Sequence, residues 1–248
     1  MENKMITIDG IGLTYHTLYG ETKAIEDVTF EVDEGEFVGV IGPSGCGKST
    51  LLSIIAGLLK PSKGTVTVNG KIGYMLQKDH LFEWRNIFQN VLLGLEVKGL
   101  ITDETVAYVN DLLNRYGLGE FKRYYPNQLS GGMRQRAALI RTLALRPDIV
   151  LLDEAFSALD YQTRLAISDE VWRILREEKK TAVIVTHDLA EAIAMCDRIV
   201  VLSKRPAVVK NIYKIELTCS DRTPIGCRKA PEFKEYFDAI WRELDVHV

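Results

Sequence analysis

The sequence predicts an α/β fold, a parallel sheet wrapped by helices, and three observations carry that prediction. Ile149-Val150-Leu151-Leu152 and Ala182-Val183-Ile184-Val185 are continuous apolar runs, typical of central strands buried on both faces. The stretch from Tyr161 to Glu178 lies between them and is long enough for the crossover helix that joins parallel strands. Along the rest of the chain short β-like runs alternate with helical ones, with no repeats and no linker rich in Pro, Gly or Ser.

In chain order, the opening third through Asn69 reads as strands: Ile6–Ile8, Val28–Val32, Phe37–Ile41 and Thr65–Val68. One helix, from Lys48 to near Gly57, interrupts them. Asn69-Gly70 is a hairpin turn signal ahead of a further strand, Ile72–Leu76. From about 78 to 146 the pattern is helical. Val106, Val109, Leu112, Leu113 and Tyr116 form one apolar stripe, with Asp103 as its N-cap and Gly117 as its C-terminal stop. Met133, Ala137, Ile140 and Ala144 form a second. After Ser203 the periodicity fades until a short terminal helix over Glu232–Leu244. The expected organisation is one domain over 1–248, with a helical subdomain inserted at about 78–146 and a short extension at about 204–248.

The chain has 248 residues, 46% of them hydrophobic, enough for a sizeable core. Its net charge of −3 gives no basic footprint for nucleic acid, and no nucleic-acid partner is expected. No segment approaches the roughly 20 apolar residues that span a bilayer. The opening Met1-Glu2-Asn3-Lys4 lacks the apolar run of a secretory signal, so a cytosolic location is expected, with membrane association only through a partner. Cys46, Cys196, Cys219 and Cys227 show neither CxxC spacing nor interleaved histidines, which argues against zinc. In a reducing cytosol disulfides are not expected either.

The strongest chemical signal is Gly42-Pro43-Ser44-Gly45-Cys46-Gly47-Lys48-Ser49-Thr50, which matches G-x-x-x-x-G-K-[ST] between a strand and a helix. Glycines let the backbone wrap a polyphosphate closely, and successive N–H groups at the helix N-terminus face its oxygens. Lys48 would contact the β- and γ-phosphates and the Ser49 hydroxyl would ligate Mg²⁺. Cys46, inside the loop, reads best as a small residue filling a tight turn. Asp153 and Glu154 emerge at the C-terminal end of a buried strand, where open α/β sheets place their ligands. Asp153 would hold Mg²⁺ and Glu154 would polarise the attacking water. His187 ends the next buried strand, which brings it to the same sheet edge for a γ-phosphate contact. Gln77 follows the strand Ile72–Leu76 and could reach the metal or the water.

Leu129-Ser130-Gly131-Gly132-Met133-Arg134-Gln135-Arg136 resembles the LSGGQ-type signature of ATP-binding-cassette (ABC) ATPases, with Met133 where many members carry Gln. Gln77, Ser157-Ala158-Leu159-Asp160 and His187 then stand in the family's order as Q-loop, D-loop and switch histidine, and the resemblance covers about residues 5–205. It implies a P-loop NTPase fold with a RecA-like core, an N-terminal antiparallel β subdomain and an inserted helical subdomain. It also implies a head-to-tail homodimer that binds two ATP molecules. Each would lie between the phosphate loop of one copy and Ser130, Gly131 and Gly132 of the other, whose N–H groups and Ser130 hydroxyl are free for phosphate. Asp160 would sit at the seam. Adenine would stack on an aromatic upstream of the loop, Tyr15 or alternatively Tyr19.

Among such ATPases the chain looks most similar to subunits of nitrate, sulfonate and taurine importers, on Phe82–Arg85, Asp153–Asp160 and Leu202–Pro206. The implied partners are membrane-spanning permease subunits, with an apolar groove at Phe82 and Trp84 receiving a permease helix, and indirectly an extracytoplasmic solute-binding protein. The implied location is the cytoplasmic face of the cell membrane, held peripherally. Importers of thiamin-precursor pyrimidines stay open as an alternative, as does a soluble ABC ATPase. The latter usually carries coiled-coil insertions or two cassettes, and neither is present here. A nucleotide sensor without turnover is disfavoured by intact Glu154 and His187.

Overall fold

Two long strands, β1 (Lys4–Thr17) and β2 (Gly20–Asp33), open the chain as an antiparallel pair, far longer than the short runs read from sequence. They are followed by β3 (Phe37–Ile41), α1 (Lys48–Ile55), β4 (Lys63–Val68), β5 (Ile72–Met75), α2 (Ile87–Val97), α3 (Asp103–Arg115) and α4 (Gly131–Leu143). Next come β6 (Ile149–Asp153), α5 (Tyr161–Glu177), β7 (Thr181–Val185), α6 (Leu189–Met195), β8 (Arg198–Leu202), β9 (Ala207–Lys214), α7 (Pro224–Cys227) and α8 (Pro231–Glu243). The structure is a computed structural model that describes residues 3–18, 20–219 and 221–244. Tyr19, the alternative adenine platform, lies outside the described residues.

The strands run in the order β4-β1-β2-β9-β8-β3-β7-β6-β5. From β8 to β5 every neighbouring pair is parallel, and β9 joins this part to the N-terminal strands by pairing with both β8 and β2. Continuous apolar runs mark the parallel strands because each of their faces meets its own core. Val150, Leu152, Ala182 and Ile184 point into a layer with Phe37, Phe156, Leu139 and Ile193. Ile149, Leu151, Val183 and Val185 point the other way, against Ile6, Ile8, Val28 and the α1 side chains Leu51 and Leu52. Each fully buried aliphatic side chain of this kind contributes about 1.5–3 kcal/mol.

Two local expectations are corrected. Asn69-Gly70 does not close a hairpin, since β4 and β5 stand at opposite ends of the strand order. β1 captures β4 by the pairs Ile6 with Val68 and Ile8 with Val66, while β5 pairs with β6. The turn therefore carries the chain from one end of the strand order to the other. The Asn69 N–H donates to the Met5 carbonyl and the Lys71 N–H to the Asp148 carboxylate, each at 2.8 Å. A two-residue turn signal is local, and the competing strand edges that decide it are distant in sequence. The cap of α3 is Thr102 rather than Asp103: Thr102 Oγ1 accepts the Thr105 N–H at 3.2 Å, and Asp103 stands inside the first turn. Gly117 ends that helix as expected, at φ 73° just beyond Tyr116.

Helices α2, α3 and α4 occupy the region expected to be helical. After Ser203 the chain forms β9 and α7, which periodicity does not announce, and then α8, which matches the terminal helix expected over Glu232–Leu244. Helix α8 packs on α6 through fully buried Ile240. Among the described residues no helix is long and apolar enough to cross a membrane.

Candidate functional site

Strand β3 delivers the chain into the turn 42–47, and α1 leads it out again. Gly42 has no room for a side chain: a Cβ there would meet Cys46 Sγ at 2.9 Å and Leu202 Cβ at 3.1 Å. Gly47 stands at φ 120° with its Cα against the Ala24 carbonyl. That conformation suits glycine alone. No side chain caps α1, so its first-turn N–H groups face the concave side of the loop. Lys48 is nearly fully buried and crosses this concavity, donating from Nζ to the Gly42 carbonyl at 2.8 Å and the Pro43 carbonyl at 3.1 Å. The loop thus encloses one buried cation, bonded to two of its own carbonyls. Cys46 is buried as well, and burial raises its thiol pKa, which fits the loop-filling reading.

The acidic pair arrives from β6. Asp153 is buried and accepts from Ser49 Oγ at 2.9 Å and from the Tyr74 hydroxyl at 3.2 Å. Burial raises its pKa, while the two hydroxyl donors and nearby Lys48 pull the other way. Glu154 follows at φ 47°, a left-handed conformation uncommon for a side-chain-bearing residue, and is held there by its N–H on the Val185 carbonyl at 2.8 Å. This turn aims the Glu154 carboxylate into the pocket formed with Ser44, Gly45, Gly47, Lys48, Ser49 and Thr50, whose volume is about 230 Å³. Larger concavities, such as the one of about 530 Å³ beside α1 and β4, gather no comparable set of reactive groups. Gln77 Nε2 donates to Glu154 Oε2 and to Ser157 Oγ, both at 3.3 Å, and His187 Nδ1 stands 3.3 Å from Glu154 Oε2. Tyr15 joins from β1: its hydroxyl and Thr50 Oγ1 are 3.1 Å apart, which leaves the partly exposed ring at the mouth of the loop.

Gly42 through Thr50, Asp153, Glu154, Gln77, His187 and Tyr15 therefore converge on one place. Ser130, Gly131, Gly132 and Asp160 do not line that pocket. Ser130 caps α4, and its Oγ is not wholly free as expected, since it accepts the Met133 N–H at 3.3 Å. Gly131 and Gly132 lie against Leu159 and Ile167, where a Cβ would come within 3.1 and 3.0 Å of a side-chain carbon. Asp160 caps α5 by accepting the Thr163 N–H at 3.1 Å, and that bond lowers its pKa.

Sequence reasoning missed three features. Tyr74 was read only as a strand residue, yet it contacts Asp153, and burial together with that carboxylate pushes its pKa up to about 12. Arg134 reaches from α4 to Asp79 Oδ2 at 3.1 Å and to the Leu129 carbonyl at 3.1 Å. Arg141, two turns further along the same helix face, grips the carbonyls of Asp79 and His80 at 2.6 and 2.8 Å. Together they clamp the segment after Gln77 onto the helix that Ser130 caps. No spacing rule in one sequence announces such a clamp.

Ser49 and Asp153 are suited to a hard cation. A hydroxyl and a carboxylate face each other directly beneath the loop. The described residues hold no cluster of three or more acidic, His or Cys ligands, so a cation here would draw its other ligands from phosphate oxygens and water. Gln77 is turned toward Glu154 and Ser157 rather than toward this pair.

Comparison with known proteins agrees with this geometry. The family model described as ABC transporter matches residues 25–157. An uncharacterised ABC transporter ATP-binding protein, YtlC of Bacillus subtilis (strain 168), is 47% identical, covering 96% of this chain and 95% of its own. The taurine import ATP-binding protein TauB of Jannaschia sp. (strain CCS1) is 37% identical, with 89% and 86% covered. Among solved structures, the dimeric ABC transporter cassette MJ0796 superposes with a TM-score of 0.74 at 34% identity, covering 86% of this chain and 99% of that one. MJ0796 in a post-hydrolysis state bound to ADP and phosphate gives 0.73 at 33% identity, with the same coverage. A phosphate loop, an acidic pair at the adjoining strand end and relatives of this similarity over nearly the whole chain lead to one assignment: the chain belongs to the ABC transporter family, as one of its ATP-binding, ATP-hydrolysing subunits.

Proposed function

We propose that this ATPase energises the import of a small anionic solute of the nitrate, sulfonate or taurine type. It would work as a head-to-tail dimer held on membrane-spanning permease subunits at the cytoplasmic face of the cell membrane. An extracytoplasmic solute-binding protein would act on the same permease from the other side. The observation that carries the reading is the continuous run from Gln77 to Trp84. Gln77 bonds Glu154 inside the site, Asp79 is gripped by Arg134, and Phe82 and Trp84 then stack at 4.7 Å with Trp84 73% exposed. Fully buried Asn90 holds that aromatic turn in shape, accepting the Phe82 N–H at 2.7 Å and donating to the carbonyls of Phe82, Arg85 and Asn86. A hydrogen-bonded aromatic turn with Trp84 exposed and Phe82 half-buried, a few residues from Gln77, is where a permease helix can feel hydrolysis. The solute class rests on similarity to the taurine import relatives.

In the proposed cycle the loop N–H groups and Lys48 bind the ATP phosphates, with Lys48 exchanging two carbonyl acceptors for phosphate oxygens. Mg²⁺ bound with the nucleotide neutralises phosphate charge, and Ser49 and Asp153 are the residues that would hold it. Glu154 takes the proton of the attacking water, and His187 and Gln77 orient it from either side. Tyr15 offers its ring to adenine. Ser130, Gly131 and Gly132 of the second copy complete the phosphate cage. This explains why they stand apart from the loop within one chain.

The test is affinity purification of the tagged chain from detergent-solubilised membranes of its host, paired with uptake of labelled taurine, an alkanesulfonate and nitrate by cells lacking the chain. Co-elution of a polytopic membrane protein and loss of uptake of one of these solutes are expected. Soluble partners alone would reject the importer assignment, and unchanged uptake of all three would reject the solute class.

A further inference from the structure

The C-terminal extension carries a site that the ATPase cycle does not use. Cys219 and Cys227 both carry free thiols, and their sulfurs stand 2.8 Å apart. Both are anchored by their surroundings. The Thr218 N–H donates to Glu232 at 3.0 Å on α8. Thr223 caps α7 at the Gly226 N–H, and the Ile225 N–H donates to Asp169 of α5 at 3.2 Å. Arg222 donates to Cys227 Sγ at 2.8 Å and to the carbonyls of Ala194 and Cys196, where α6 ends. The thiols differ in access. Cys219 is partly exposed and lines a depression of about 280 Å³ with Thr218, Asp221, Gly226, Lys229 and Ala230, whereas Cys227 has no exposed surface.

We propose that Cys219 and Cys227 form a dithiol modification site, which small anionic disulfides of the glutathione type oxidise to an intramolecular disulfide. The Cys219 thiolate attacks one sulfur of the small disulfide, seated in the depression beside Lys229, and releases one small thiol. Cys227 then loses its proton and attacks the Cys219 sulfur, forming the protein S–S bond and expelling the second small thiol. Two protein thiols are oxidised and one disulfide is reduced, so no other oxidant is needed. The sulfurs must close from 2.8 Å to about 2.05 Å. Burial pushes the Cys227 thiol up to about 11 and the Cys219 contact adds to this, while Arg222 pulls it back. Arg222, in contact with the Cys227 sulfur, is the cation that would stabilise the resolving thiolate as it forms. The bond would tie Cys219 to Cys227 where this segment meets α5, α6 and α8.

Intact-mass spectrometry and alkylation of the purified chain after treatment with oxidised glutathione test this. The expected product is lighter by about 2 Da, with a cross-linked peptide joining 219 and 227 and with Cys46 and Cys196 still alkylated after denaturation. Cys227→Ser should instead accumulate a mixed disulfide on Cys219, heavier by about 305 Da, and Cys219→Ser should stay unmodified. A stable glutathione adduct on the unsubstituted chain, a cross-link between two chains, or no change in mass would each overturn the proposal.

Discussion

Glu191 sits in the first turn of α6, just past the site histidine, and is 96% buried by its 4% exposure. Its N–H donates to Asp188 Oδ1 at 3.1 Å, and its Oε1 has no hydrogen-bond partner. Burial pushes its pKa from the ordinary 4.5 to about 7, and Asp188 adds to this against a Thr186 hydrogen bond and the charges of Arg164 and Arg228. At about 1.4 kcal/mol per pK unit, keeping this carboxylate ionised in the fold costs about 3 kcal/mol. Because the folded-state value lies above the unfolded one, between pH 4.5 and about 7 the folded chain holds a proton that the unfolded chain has released. Stability falls as pH rises through that window, is unimpaired below it, and carries the full cost above about pH 8. Glu191→Gln keeps the shape of the neutral acid and removes the titration. The variant should therefore match the parent near pH 4 and exceed it near pH 8.5 by about 3 kcal/mol, or roughly 6–12 °C in Tm for a domain of this size. Thermal unfolding of both proteins across that range is the assay. An equal difference in Tm at the two ends would refute the buried-carboxyl argument, whatever its size.

Glu154→Gln should lower ATP turnover by about 10²–10⁴-fold if Glu154 is the proton acceptor proposed above. Its affinity for ATP should stay within a few-fold and it should elute as an ATP-dependent dimer; near-normal phosphate release would remove Glu154 from the chemistry. Lys48→Ala deletes the buried cation of the loop, and calorimetry should find ATP binding weakened by about 10–100-fold, the value of a charge-assisted contact. Tyr15→Ala should weaken ATP binding by roughly 3–10-fold through lost ring contact, whereas Tyr15→Phe, which loses only the bond to Thr50, should bind nearly normally. Equal losses in the two variants would mean that the hydroxyl matters and the ring does not. Gly132→Ala forces a Cβ to 3.0 Å from Ile167 Cδ1, so it should cost about 1–3 kcal/mol in chemical unfolding. An unchanged midpoint would show that α4 and α5 yield there freely.

The phosphate loop, the acidic pair at the end of β6 and the parallel strands were legible because each is written in contiguous residues. Gly42–Thr50 must wrap a small anion with its own backbone, and a strand buried on both faces has no polar positions to hide its pattern. The same locality misled at Asn69-Gly70, where turn chemistry is correct but the strand edges that β4 and β5 join belong to β1 and β6. It also left the tail between Ser203 and the terminal helix unread, because β9 is defined by pairing with β8 and β2 rather than by its own alternation.

By itself, then, the sequence determined the class of fold and the chemical groups available for ATP. Tertiary structure alone decided how those groups are held: Glu154 in a left-handed turn fixed by Val185, Asp153 between Ser49 and Tyr74, and the Gln77 segment clamped by Arg134 and Arg141. The reason is physical. Backbone preferences and burial periodicity act over a few neighbouring residues and leave a trace in order and spacing. Side-chain contacts between separate elements depend on how those elements pack, and chain order does not record that packing.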